Sequence, residues 1–309
     1  MKYAKTPNYA LIERVGKMYY ILQMNQQSIA DKLGISRTSV VRLLSEGRDL
    51  GIIQIYIKGQ NDDLRNRELE SDLLKKYKMK DIVVARNIGP NSYYNMAAKY
   101  IEGILPKSGN ICLSGGITTH TIANYLYPAE TNTDLNIVQL TGLFSEKIPN
   151  LSVVQRWSEK LNANPMYLSA PGIVNTPQKR DMFLNDFNII NTYKAMCNAD
   201  IAIVGIGTPS TILKNINTLD FPQEMFKDLE TSSVGDVMFH FYNEMGAFCA
   251  EEISNHVVGA TIVDFLRIQT RIAVAFGDEK VKAIAGGMKG GVVNIMITDE
   301  NTAKKILQI

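Results

Sequence analysis

The chain has 309 residues, 45% hydrophobic and 21% charged, with a formal net charge of +2. That length suits two domains and a sizeable core. No apolar run is long enough to span a bilayer and no basic-then-apolar leader opens the chain, so the sequence points to a cytoplasmic protein.

The charge is uneven. Residues 1–60 carry nine Lys or Arg and four acids, a net +5, which leaves −3 for the remainder. A basic head on a mildly acidic body fits a DNA-binding head, because phosphate neutralisation supplies much of the affinity for DNA. Cys112, Cys197 and Cys249 are far apart among apolar neighbours and read as buried thiols in a reducing compartment. His120, His240 and His256 share no ligand spacing with them, so no metal site or cofactor is expected.

Residues 8–24 place Ile12, Val15, Tyr19 and Leu22 on a helical period, the first helix of a three-helix head. The stretch Gln26–Ile53 follows, QQSIADKLGISRTSVVRLLSEGRDLGII, and reads as a helix-turn-helix. Ala30 supplies the small residue where the helices cross, and Gly34 the left-handed turn residue. Ile29, Leu33, Ile35, Val40 and Leu43 fall on the buried side, and Asn25 and Ser36 are placed to cap the two helices. Arg37, Thr38, Val41, Arg42 and Ser45 then point outward. The residues expected at DNA are Gln27, Ser36, Arg37, Thr38, Ser39 and Arg42, whose side chains suit base edges and phosphates.

After Gly51, Ile53, Ile55 and Ile57 alternate with Gln54, Tyr56 and Lys58, which predicts a short strand or hairpin, a wing, where Lys58 fits a phosphate contact and a solvated surface lysine equally. Residues 61–79 predict a charged amphipathic helix with a stripe of Leu64, Leu69, Leu73, Leu74 and Tyr77. A spacer, a partner contact and a cap on the second domain all fit it, and a linker packed on a partner chain is the expectation. The boundary between domains is placed at 59/60.

From residue 80 the pattern changes. Apolar runs at 82–85, 111–114, 137–140, 166–168, 201–204, 272–275 and 292–297 alternate with helical segments such as 92–104, 118–127, 151–161 and 280–286. Strands apolar throughout, separated by helices, predict a Rossmann-like α/β domain with a mostly parallel sheet covered on both faces. In such sheets ligands sit beyond the carboxyl ends of the strands.

Three loops fit that place. Ser114-Gly115-Gly116-Ile117-Thr118-Thr119 leads from a strand into a helix, with two glycines for close approach and three hydroxyls, and makes a phosphate cradle. It is neither a dinucleotide fingerprint nor a P-loop with its lysine. Gly205 and Gly207 follow the strand IAIV. Lys280 follows the strand IAVA, at the start of a helix, and is a suitable point charge for phosphate.

The blocks together resemble the SorC family of bacterial sugar-responsive transcriptional regulators. The likeness runs from about residue 10 to the C-terminus. It is carried by the Gln26–Ile53 stretch, SGGITT, VQLTG (138–142), ADIAIVGIG (199–207), VGDVMFHFYNEMG (234–246), AVAFGDEKVKAI (273–284) and VNIMITDENTAKKIL (293–307). The resemblance implies a winged helix-turn-helix joined to a sugar-binding domain akin to phosphosugar isomerases and deaminases. It also implies a homo-oligomer, dimer or tetramer, whose operator binding responds to a phosphorylated sugar. Carried onto this chain, phosphate would meet Gly116, Thr118, Thr119 and Lys280, and sugar hydroxyls would meet Asn243 and the Gly205–Gly207 loop. Two departures stand out: Gly115-Gly116 where many members have Trp-Gly, and Asn243 where Asp is usual. Asn both donates and accepts, so the hydroxyl it selects differs.

Relatives of this fold can capture an open-chain sugar on lysine. Lys147 lies in a suitable loop, but the sequence does not distinguish it from a surface lysine. The alternative function is a phosphosugar isomerase or deaminase with an added head. It lacks an acid–base constellation on the three loops, and no catalytic residue is assigned.

Overall fold

The computed structural model describes residues 8–53, 64–89, 91–129, 133–143, 153–214 and 223–309. The chain divides into two compact units, Met1–Gly59 and Gln60–Ile309.

In the first unit, α1 (Tyr9–Gly16), α2 (Gln26–Leu33) and α3 (Arg37–Asp49) enclose an aliphatic core of Ile12, Val15, Met18, Ile29, Ala30, Val40, Leu43 and Leu44. The Asn25 side chain accepts from Ser28 N–H and caps α2; the Ser36 side chain accepts from Ser39 N–H and caps α3. Gly34 ends α2 at φ 64°, the left-handed conformation that a tight turn into α3 needs.

The first helix differs from its expected period. It passes into a π-turn at Lys17–Ile21 and ends, leaving Leu22 62% exposed while Met18 is buried. A wider turn shifts the phase of every following side chain, which a fixed 3.6-residue period does not anticipate. Ile53 packs against this core, and a Cβ on Gly47 would stand 2.7 Å from it. The rest of the expected wing, including Lys58, lies outside the described residues.

The second unit is built on a seven-stranded sheet: β1 (Asp81–Ala85), β2 (Ser108–Leu113), β3 (Asp134–Gln139), β4 (Asn164–Met166), β5 (Ile201–Val204), β9 (Thr270–Val274) and β10 (Ile295–Asp299). Its order is β1-β10-β9-β5-β2-β3-β4, and every pairing is parallel. Side chains alternate between two cores. Ile82, Val84, Cys112 and Ala202 face one, and Val83, Ala85, Ile111 and Ile203 face the other. Burial on both sides is why these strands read as unbroken apolar runs.

Two expected boundaries shift. The fourth strand ends at Met166, where that run was expected to begin. Val292 and Val293 enter the core ahead of β10 rather than within it. A second, antiparallel sheet was not foreseen: β6 (Gly235–Val237), β7 (His240–Tyr242) and β8 (Phe248–Cys249). Its strands are too short to show a period.

The helix α4 (Arg67–Lys76) caps the second unit's own sheet. Leu73 and Tyr77 are buried in the core there, which corrects the expectation of a linker packed on a partner chain. Leu74 stays exposed, and Glu70 is buried instead. Arg65 donates to both oxygens of Glu70 at 2.7 and 3.0 Å, and Val84 N–H donates to it at 3.0 Å. The cysteines also depart from expectation, since Cys112 is buried but Cys197 is exposed and Cys249 half-buried.

Candidate functional site

The chain runs from β2 outward to β3 and β4, then returns to place β5 on the other side of β2. The crevice between the carboxyl ends of β2 and β5 is therefore the topological switch point, where open α/β sheets bind ligands. The three glycine- or lysine-bearing loops leave β2, β5 and β9, three neighbouring strands, at the same end.

Hydrogen bonds join these loops. Ser114 N–H donates to Ile203 O at 3.1 Å, and Gly205 N–H donates to Ser114 Oγ at 3.2 Å. Ser114 is buried, so its hydroxyl ties the two loops together beneath any ligand. Gly115 is exposed, and Gly116, at φ 128°, opens the short helix Ile117–Ile122. Thr118 is half-buried. Thr119 departs from its expected role. It is buried, and its hydroxyl donates to Ser114 O at 2.9 Å and Gly116 O at 3.1 Å, so it braces the loop from inside.

The residue that sequence reasoning missed is Asp236, on β6. Gly207 and Asp236 exchange backbone hydrogen bonds of 3.0 and 3.2 Å. A Cβ on Gly207 would collide with the Asp236 carboxylate, so the glycine leaves that side chain its place. One carboxylate oxygen, Oδ2, accepts from Phe239 N–H at 3.1 Å; Oδ1 is buried and has no hydrogen-bond partner. Burial pushes its pKa up to about 6, against the pull of the Phe239 N–H and the Lys280 ammonium. Burial lowers the pKa of Lys280, and Glu279 and Asp236 oppose that shift. An unsatisfied buried acceptor in electrostatic reach of a half-buried lysine suits a ligand that brings both a hydroxyl donor and an anion. An acidic residue inside the apolar run VGDVMF was the available signal.

Asn243 also differs from expectation. Its side-chain oxygen accepts from Met245 N–H at 3.0 Å and Ala247 N–H at 3.1 Å, closing the turn between β7 and β8. Lys147 lies outside the described residues. Among the described residues no cluster of three His, Cys, Asp or Glu side chains could hold a metal ion, and no helix is long and apolar enough to cross a membrane.

In the first unit, Gln27, Ser36, Arg37, Thr38 and Arg42 are exposed, and Ser39 is half-buried. Ser36 Oγ lies 2.8 Å from both the Thr38 and the Ser39 hydroxyl oxygens, and Arg37 Nε donates to Gln26 Oε1 at 3.4 Å. Gln27 Nε2 donates to Asp31 Oδ1 at 2.8 Å, one helical turn on.

A parallel α/β unit with a topological switch point, preceded by a small helical unit, is an architecture suited to holding a ligand at the strand ends. A sugar-binding domain family matches residues 63–308, and the chain belongs to that family. Over nearly its whole length it is similar to two regulators. The deoxyribonucleoside regulator of Bacillus subtilis (strain 168) is 27% identical over 300 residues, covering 94% of this chain and 95% of that protein. The sorbitol operon regulator of Klebsiella pneumoniae is 27% identical over 312 residues, covering 96% and 98%. The crystal structure of the full-length sorbitol operon regulator SorC from Klebsiella pneumoniae shares the fold. Its TM-score is 0.72 at 24% identity, over 98% of this chain and 100% of that one. The resemblance to SorC-family regulators read from the sequence is borne out.

Proposed function

We propose that this chain is a cytoplasmic, DNA-binding transcriptional regulator of carbohydrate metabolism, whose operator binding is modulated by a phosphorylated sugar. It acts as a regulator and not as an enzyme, in keeping with relatives that are named as regulators across their whole length. The observation that carries the effector reading is the convergence of three strand-exit loops on one crevice. The buried Asp236 carboxylate, whose Oδ1 has no partner, lies within electrostatic reach of Lys280 on the loop that follows β9.

In this reading the amides of Gly115 and Gly116, the Thr118 hydroxyl and Lys280 hold the phosphate. Asp236 accepts from a sugar hydroxyl, and Gly205 and Gly207 allow the ring to approach the backbone. Ser114 and Thr119 support the loop.

The first unit is the DNA-binding domain, a winged helix-turn-helix over residues 1–59. α3 enters the major groove, and Arg37, Thr38 and Arg42 meet base edges and phosphates. Val41, 46% exposed among them, suits a thymine methyl. Residues 60–309 form the effector and oligomerisation domain of a homodimer or homotetramer, whose symmetry would match a palindromic operator.

For the effector to act, it must bind one arrangement of the oligomer better than another; a tenfold change in operator affinity needs about 1.4 kcal/mol of such preference. A mobility-shift titration of operator DNA across a panel of phosphosugars tests this. At least one sugar phosphate should shift the curve, and Lys280→Ala should bind the operator normally while losing that response. Indifference of the unsubstituted protein to every member of the panel would remove the switch.

A further inference from the structure

The loop that carries Lys280 is fastened from behind by the helix Glu300–Gln308. That helix follows β10 directly and is capped by Asp299, whose side chain accepts from Thr302 N–H at 2.7 Å. Its Ala303 and Ile306 sink into the same core as Ile284 and Met288, from the helix Val281–Lys289 that begins after Lys280. Thr302 is buried as well, and its hydroxyl oxygen accepts from Gly277 N–H at 2.9 Å.

Gly277 sets the turn to which Lys280 belongs. Its backbone lies at φ 109°, which L side chains rarely adopt, and its carbonyl accepts from Lys280 N–H at 3.0 Å. Two hydrogen bonds in series therefore join the Thr302 hydroxyl to the backbone of Lys280. One further tether lies upstream, where Ala275 N–H donates to Ile297 O at 3.1 Å. The Lys305–Asp278 ion pair also spans helix and loop, but both side chains are exposed, so solvent weakens it. A lysine stem is flexible, so its charge is only as well placed as the backbone that carries it. The Gly277 amide is engaged by Thr302, so this turn offers a ligand its lysine and not that N–H.

We propose that Thr302 is a positioning residue for the effector: by holding the Gly277 amide it fixes the turn that aims the Lys280 ammonium at the bound phosphate. This rests on the reading of Lys280 as a phosphate ligand.

The test is calorimetric titration of the full-length protein with inorganic phosphate. Thr302→Val keeps the side chain's shape and removes the acceptor, and it should weaken phosphate binding about tenfold. Thr302→Ser keeps the hydroxyl and should bind phosphate within about threefold of the unsubstituted protein. Operator affinity without phosphate should stay unchanged in both, a separation that a general loosening of the fold would not give. In a Lys280→Ala background Thr302→Val should cost nothing further, because the two act through one contact. If Lys280→Ala alone removes phosphate binding, the comparison of Thr302→Val with Thr302→Ser decides. If Thr302→Val does not fold, Gly277→Ala takes its place, since it strains the same turn and leaves the helix Glu300–Gln308 intact. Phosphate affinity within about twofold of the unsubstituted protein in the variant used, a Thr302→Ser protein no better than Thr302→Val, or an undiminished loss in the Lys280→Ala background overturns the inference and leaves the effector reading standing. If the unsubstituted protein binds neither phosphate nor any phosphosugar, the effector reading fails and takes this inference with it.

Discussion

In the head, Gln27, Arg37, Thr38 and Arg42 lie on the outside of helices whose interior is aliphatic, and no described polar or charged side chain of that unit is buried. In the α/β unit the groups put forward for the effector are drawn inward. Asp236 and Ser114 are buried, and Thr118 and Lys280 are half-buried. The difference follows from the size of what each face would bind. A duplex is a large polyanion that a solvated, rigid surface can meet by displacing counterions. A small ligand has few atoms, so its site must supply concentrated, partly dehydrated polarity. Substitutions at the two faces should therefore report differently, with affinity changing alone in the head and affinity tied to stability in the crevice.

The largest expected effect is at Asp236. Its folded-state pKa is raised, so the fold favours the protonated form. That contribution is fully present below the ordinary carboxylate range and is lost as pH rises through about 6. At pH 7 the charged carboxylate of the ligand-free protein should cost roughly 3 kcal/mol of stability, the equivalent of a rise from 3.8 to about 6. Asp236→Asn should therefore be more stable than the unsubstituted protein in urea at pH 7, should approach it near pH 4, and should lose its response to phosphosugars. Equal stability of the two proteins at pH 7 would break the comparison, because Asp236 would then store nothing.

Next in size is Arg42→Ala. Loss of a bidentate base contact should weaken operator binding by about 1–3 kcal/mol. If Arg42 meets phosphate instead, the loss should be uniform across DNA sequences, and the salt slope should fall by about one. In either case the unfolding midpoint should barely move, because an exposed side chain away from caps and cores contributes within about 0.5 kcal/mol. A shift assay at two salt concentrations, run beside a urea melt, separates these outcomes. An Arg42→Ala protein that binds operator normally would show that the reading face is turned elsewhere.

What the sequence disclosed and what it hid follow the same division. The head was legible because its signals are local: Asn25 and Ser36 cap helices within three residues, and Gly34 sets the turn by its own backbone. The sheet was legible because burial on both faces leaves runs such as Ile201–Val204 without a polar residue. The three loops showed themselves by glycines at strand exits. Asp236 and Glu70 did not, because a buried carboxylate is defined by neighbours remote in sequence, Gly207 and Lys280 for one and Arg65 and Val84 for the other. Thr119 was given a ligand role from its residue type and Asn243 from the family resemblance, whereas what each side-chain oxygen meets depends on which backbone groups lie within reach. Leu22 was misplaced by a π-turn, which no regular period signals.

Ser36 is where the division between the two units should blur, and it carries the smallest effect. Its hydroxyl caps α3 through Ser39 N–H at 3.1 Å, and it also lies 2.8 Å from the Thr38 and Ser39 hydroxyls on the proposed DNA face. Removing a serine cap costs about 1 kcal/mol, so Ser36→Ala should lower the unfolding midpoint of the head. It should also weaken operator binding modestly, since Arg37 and Thr38 occupy the turn that the cap fixes. Ser36→Asp separates the two roles. Aspartate caps as well as serine, and it adds charge at the positive end of the helix, so stability should return. The same charge faces the phosphates, so operator affinity should fall below that of Ser36→Ala. If instead Ser36→Asp restores binding along with stability, Ser36 acts on DNA only by holding the start of α3, and Arg37 and Thr38 make the contacts.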